Sequence, residues 1–82
     1  MVLVDIYVPI INETYDFELD ENVMVEEIIE AVVDIIGRQM KSDVSGQSKE
    51  FSLYLQESTL RLKKNCTLHM NGVRDGSRLM LI

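Results

Sequence analysis

The sequence predicts an α+β fold in which one amphipathic helix covers one face of a mixed sheet of four to five strands. Three observations predict it. Residues 23–37, reading VMVEEIIEAVVDIIG, repeat their apolar positions at the helical period. Segments on both sides of that stretch alternate apolar and polar residues with the period of a half-buried strand. The two patterns follow one another as strand, strand, helix, strand, short strand, single turn, strand.

Wrapped at helical pitch, Val25, Ile28, Ile29, Val32, Val33, Ile35 and Ile36 gather on one arc, and Glu26, Glu27, Glu30 and Asp34 on the other. The adjacent pairs Ile28-Ile29, Val32-Val33 and Ile35-Ile36 break the strict alternation of a half-buried strand. β-Branched residues are mediocre helix formers, so the period and not the propensity predicts the helix. Asn22 is the expected N-cap and Gly37 the expected residue just past the C-terminus.

Val2 to Val8 reads as the first strand, with Val2, Val4, Ile6 and Val8 inward and Leu3, Asp5 and Tyr7 outward. Pro9 ends it, Asn12-Glu13 turn, and Thr14 to Leu19 returns with Tyr15, Phe17 and Leu19 inward. Arg38 to Lys49 is polar, without a clear period, and is expected to be a loop. Phe51 to Leu55 is the third strand and Thr59 to Leu62 a short fourth. Thr67 caps a single turn, Asn71-Gly72 supplies a left-handed exit, and Asp75-Gly76 turns into the last strand, where Leu79 and Leu81 alternate with Arg78, Met80 and Ile82. That order is the β-grasp, with the first and last strands as parallel neighbours joined by a right-handed crossover.

With 82 residues, 46% of them hydrophobic, the chain is expected to form one domain over residues 1–82 with a packed core. A single cysteine excludes an internal disulfide, and no apolar run reaches the roughly 20 residues of a membrane span. The start of the chain lacks a basic n-region, so no signal peptide is read and the expected location is cytoplasmic. From Met1 to Gly37 there are ten acidic residues and no Lys or Arg, whereas from Arg38 onward eight basic residues outnumber four acidic ones. Either the halves neutralise each other by packing or the acidic face serves a basic partner. Nucleic acid is disfavoured, because the first half repels phosphate.

No catalytic or cofactor-binding constellation is legible. Cys66 and His69 lie three residues apart without an orienting third group, and two ligands fall short of a zinc site. Glu26, Glu30 and Asp34 sit on a helix, without the loop carbonyls of a calcium site, and the glycines are spaced as turn formers.

The closing pattern Thr67-Leu68, Gly72-Val73, Asp75-Gly76, Leu79-Met80-Leu81-Ile82 resembles ubiquitin, and with the hairpin and helix the likeness spans nearly the whole chain. Within that fold the chain resembles the YukD/EsaB group, small ubiquitin-like proteins of Gram-positive type VII (WXG100) secretion systems. Ubiquitin and the sulfur carriers expose a diglycine tail that an activating enzyme adenylates. Here the sequence reads no diglycine after Leu79-Met80-Leu81-Ile82, so the expectation is neither conjugation nor thiocarboxylate chemistry. The resemblance implies a non-enzymatic, non-covalent adaptor whose partners are proteins, such as membrane-embedded or ATPase components of the secretion machine. A structural or homodimerising module is the alternative, and a degenerate carrier protein a third class. Alternation places Leu3, Tyr7, Tyr54, Met80 and Ile82, with Arg78 as polar rim, on the sheet face away from the helix. Alignment of Leu79 and Leu81 sets Tyr54, Met80 and Ile82 where the resemblance implies ubiquitin's hydrophobic recognition patch. These six residues are the expected protein-binding site.

Overall fold

A computed structural model describes residues 1–39 and 50–82, and the segment expected as a loop falls largely outside them. Strand β1 (Val2–Val8) leads through a short 3₁₀ turn (Pro9–Ile11) into β2 (Glu13–Leu19). Helix α1 (Val25–Gln39) follows, then β3 (Leu53–Leu55) and β4 (Arg78–Leu81). The sheet order is β2-β1-β4-β3, with β1 parallel to β4 and both outer pairings antiparallel. This is the expected α+β β-grasp, with four strands among the described residues.

One register organises the centre. Asp5, Ile6 and Tyr7 stand opposite Arg78, Leu79 and Met80, so Ile6 and Leu79 enter the core together while Tyr7 and Met80 face out together. Val4, Ile6, Val8, Leu53, Leu79 and Leu81 form the sheet side of the core, and Val25, Ile28, Ile29, Val32, Val33 and Ile36 the helix side. Leu62, Leu68 and Val73 close its open end, three core residues that strand and helix periodicity do not single out. Tyr15 and Phe17 are half-buried against the core edge.

The helix departs from expectation at both ends. Asn22 does not cap it. Its amide instead donates to Asp20 Oδ1 at 2.9 Å, and the amide of Val23 to the Asp20 carbonyl, forming a turn that postpones the helix to Val25. The first helical amides are met by main-chain carbonyls from far along the chain: Val25 donates to Cys66 O at 2.9 Å and Glu26 to Lys64 O at 3.1 Å. At the other end Gly37 is buried inside the helix rather than past it, and an Asp34–Arg38 ion pair of 2.8 Å spans the last turn to Gln39. Ile35, expected inward, is 40% exposed, because it sits about 100° round the helix from Ile36 and falls on the flank of the buried arc.

The remaining corrections concern strand ends. Asn12, at φ 51, leaves the 3₁₀ turn in the left-handed region, so Glu13 already belongs to β2. Phe51 and Ser52 precede β3, although Ser52 and Ile82 exchange both main-chain hydrogen bonds. The segment Thr59–Leu62 forms only a bridge, Tyr54 to Arg61, held by Leu55 N to Leu60 O and Leu62 N to Leu53 O. Its turn forces Thr59 to φ 54, a left-handed conformation in which a β-branched side chain crowds its own backbone. Thr67 caps its turn as expected, its hydroxyl accepting from Met70 N, and Gly72 and Gly76 take φ of 80 and 84.

Relief of the strain at Thr59 gives a direct check. Thr59→Gly is expected to raise stability by about 0.5–1 kcal/mol in chemical denaturation, the left-handed penalty less the added freedom of the unfolded chain. A loss of stability would show that the Thr59 side chain is anchored more strongly than its backbone is strained.

Candidate protein-binding face

The face of the sheet turned away from α1 is built in rows by the strand register. Thr14, Tyr7, Met80 and Tyr54 lie side by side across all four strands, and Arg61 continues the row through its bridge to Tyr54. Met80 stands at the centre, with Tyr7 on one side and Tyr54 on the other, and all three are half-buried. The Tyr7 hydroxyl donates to Asn12 Oδ1 at 3.0 Å, which ties the ring to the left-handed residue of the hairpin turn. Tyr54 does not enter the core: its neighbours Leu53 and Leu55 point to the helix side. Ile82, 53% exposed, lies two residues beyond Met80 on the same face.

The next row is charged. Asp16, Asp5 and Arg78 align across β2, β1 and β4, and Asp5, Tyr7, Thr14, Gln56 and Arg78 line a shallow depression between the two rows. Gln56 is fixed there by donating Nε2 to the Leu79 carbonyl at 2.9 Å. Leu3, 54% exposed, lies beyond this row and opposite Glu18. The six expected residues therefore do not make one apolar surface. Tyr7, Met80, Tyr54 and Ile82 are brought together, Arg78 stands on their rim, and Leu3 is cut off by charge.

Sequence reasoning passed over Ile10, which is 82% exposed at the hairpin tip, and Leu60, 58% exposed in the turn after β3. An apolar residue inside a turn, where nothing packs on it, was the available signal. Cys66 is half-buried and His69 exposed. Among the described residues no group of three or more His, Cys, Asp or Glu is gathered to hold a metal ion, and no helix is long and apolar enough to cross a membrane.

Asp5 and Asp16 are forced together by register. The amide of Asp5 points to β4, donating to Ser77 O at 3.1 Å, so its pairing with Asp16 is the kind without mutual hydrogen bonds. In that geometry the Cα atoms are only about 4.5 Å apart and the side chains crowd. Asp16 is held above its ordinary value of 3.8, first by a hydrogen bond with Asp5, then by the Asp5 charge and a little desolvation.

A family model described as "WXG100 protein secretion system (Wss), protein YukD" matches residues 3–81. The chain belongs to the YukD family. Comparison with curated proteins finds no match. Among solved structures, the EccD5 ubiquitin-like domain from Mycobacterium xenopi is similar at a TM-score of 0.75 and 21% identity, covering 99% of this YukD-family chain and 91% of that one. The ubiquitin-like domain of an Arabidopsis thaliana protein is similar at 0.74 and 16% identity, covering 99% and 74%. At these identities the structural likeness establishes the ubiquitin-like fold of this YukD-family member.

The carboxyl pair predicts a pH dependence. The folded chain binds the Asp16 proton more tightly than the unfolded chain does, so stability falls as pH rises from 3.8 through the raised native value. Above that value the repulsion is fully present. Asp16→Asn is therefore expected to raise the melting temperature near neutral pH, with the advantage shrinking as the pH falls through the raised native value and lost below 3.8. An unchanged melting temperature at neutral pH would show that the two carboxylates do not meet.

Proposed function

We propose that this YukD-family chain is a non-covalent, non-enzymatic adaptor of a WXG100 (type VII) secretion system. It works in the cytoplasm, binding protein components of the machine, membrane-embedded or ATPase subunits, through the outer sheet face. The observation that carries this reading is the row Tyr7–Met80–Tyr54, with Ile82 beside it. Four large apolar side chains on a solvent-facing sheet, flanked by Arg78 and Arg61, have the make-up of a contact site with an apolar centre and a polar rim. The two Tyr on either side of Met80 supply large contact area with few rotatable bonds. The family supports the choice of machine, and the apolar row supports the mode of action.

The experiment compares tagged wild-type protein with the double variant Tyr54→Ala, Ile82→Ser in capture from lysate of the native cells. Recovery of a secretion ATPase or membrane subunit by the wild type is expected, with recovery by the variant lowered about tenfold or more, as loss of two of the four apolar contacts implies. The melting temperature of the variant should stay within about 5 °C, because neither side chain fills the core. Equal capture by both proteins, or recovery of this chain alone, would contradict the proposal.

A further inference from the structure

The outer edge of the sheet offers a second, independent surface. β2 ends the strand order, and its alternate residues turn their main chain away from β1. Leu3 and Asp5 direct main-chain groups to the segment leading into β4, with Gly76 N bonded to Leu3 O at 2.8 Å and Asp5 N to Ser77 O at 3.1 Å. The even residues of β1 consequently bond β2, through Glu13, Tyr15, Phe17 and Leu19. The N–H and C=O groups of Thr14, Asp16 and Glu18 point outward, and among the described residues no main-chain partner meets them.

Side chains flank this edge with different chemistry on each side. On the outer face stand Asp16 and Glu18, with Asp5 behind them on β1. On the helix side Tyr15 and Phe17 are half-buried, their ring centroids 6.3 Å apart, leaving apolar surface open at the edge. Ile35 completes that side. It is nine residues from Glu26, about 180° round the helix. Glu26 lies against Arg61 to Asn65, on the β3 side of the sheet, so the exposed Ile35 lies toward β2.

We propose that the β2 edge receives an extended segment of a partner protein as an added strand, with basic residues alternating with apolar ones. The basic side chains meet Asp16, Glu18 and Asp5, and the apolar ones cover Tyr15, Phe17 and Ile35. Main-chain bonds to Thr14, Asp16 and Glu18 give affinity and the alternation gives selectivity. A second copy of this chain fits badly. Two β2 edges paired antiparallel about Asp16 set Asp16 against Asp16 and Thr14 against Glu18, and the acidic edge repels its own image. A cation placed there also relieves the crowding that holds the Asp16 carboxyl above its ordinary value.

The test uses the full chain, isotope-labelled for NMR, and peptides of about nine residues, enough for one strand. One alternates Lys with Val, a second Lys with Gly, a third Glu with Val. The Lys–Val peptide is expected to slow amide exchange at Thr14, Asp16 and Glu18 and to shift the Tyr15, Phe17 and Ile35 signals; the other two should do neither. Asp16→Pro removes one outward N–H that the sheet itself does not use, and should raise the Kd at least about fivefold beyond Asp16→Asn. Should the proline variant misfold, the exchange pattern of the wild type still decides. The proposal is overturned by equal binding of the Lys–Gly peptide without amide slowing, by shifts centred on Tyr7, Tyr54 and Met80, or by slowing that appears with protein concentration alone. The edge is read at Thr14, Asp16 and Glu18 and the outer face at Tyr7, Tyr54 and Met80, so failure of this proposal and failure of the outer-face proposal are told apart.

Discussion

The parallel pairing of β1 with β4 is the constraint on which the rest of the structure depends. It joins segments more than seventy residues apart, a closure that costs about 4 kcal/mol of chain entropy on a logarithmic length dependence. Ile6 and Leu79, both fully buried and paired in register, return about 1.5–3 kcal/mol each and offset it. The turn before β4 holds the register: Asp75 Oδ1 accepts from Leu3 N at 2.8 Å, and Gly76, at a φ of 84, donates to Leu3 O. A slip of one residue would expose Leu79 and bury Met80. The same pairing thus decides which residues make the core and which make the outer face.

The helix depends on the same long-range organisation. Its first amides are satisfied by carbonyls of Lys64 and Cys66, and His69 N reaches back to Glu21 O at 3.0 Å. The stretch that caps α1 also carries Leu62 and Leu68 into the core. Helix and closing segment are consequently one cooperative unit, joined by hydrogen bonds at the helix start and by apolar packing beneath it. The acidic half of the chain meets a basic segment at this junction, where Glu26 lies beside Arg61, Lys63 and Lys64.

The parts legible in the sequence are those that a local period dictates. Alternation in β1 assigned Val4, Ile6 and Val8 inward and Leu3 and Tyr7 outward, and the helical period assigned six of seven buried positions in α1. Ile35 failed because an arc of seven apolar residues is wider than the contact the sheet offers, and sequence cannot say which flank stays wet. Asn22 failed because a tertiary carbonyl displaced the local cap, and Leu62, Leu68 and Val73 because single turns carry no period. Of the candidate face, the row Tyr7–Met80–Tyr54 follows from alternation, but the charged row that isolates Leu3 requires the register between strands. The acidic edge of β2 needed more still, since which amides point outward depends on bonds made by β1 on its other side.

Main-chain protection in this fold differs residue by residue, and native-state amide hydrogen exchange measures it most directly. Slow, globally limited exchange is expected for Asp5 and the β4 amides that pair with β1. Along β2 an alternation is expected, slow at Tyr15 and Phe17 and fast at Thr14, Asp16 and Glu18. Fast exchange at the β1–β4 seam, or an alternation of opposite phase in β2, would contradict that pairing.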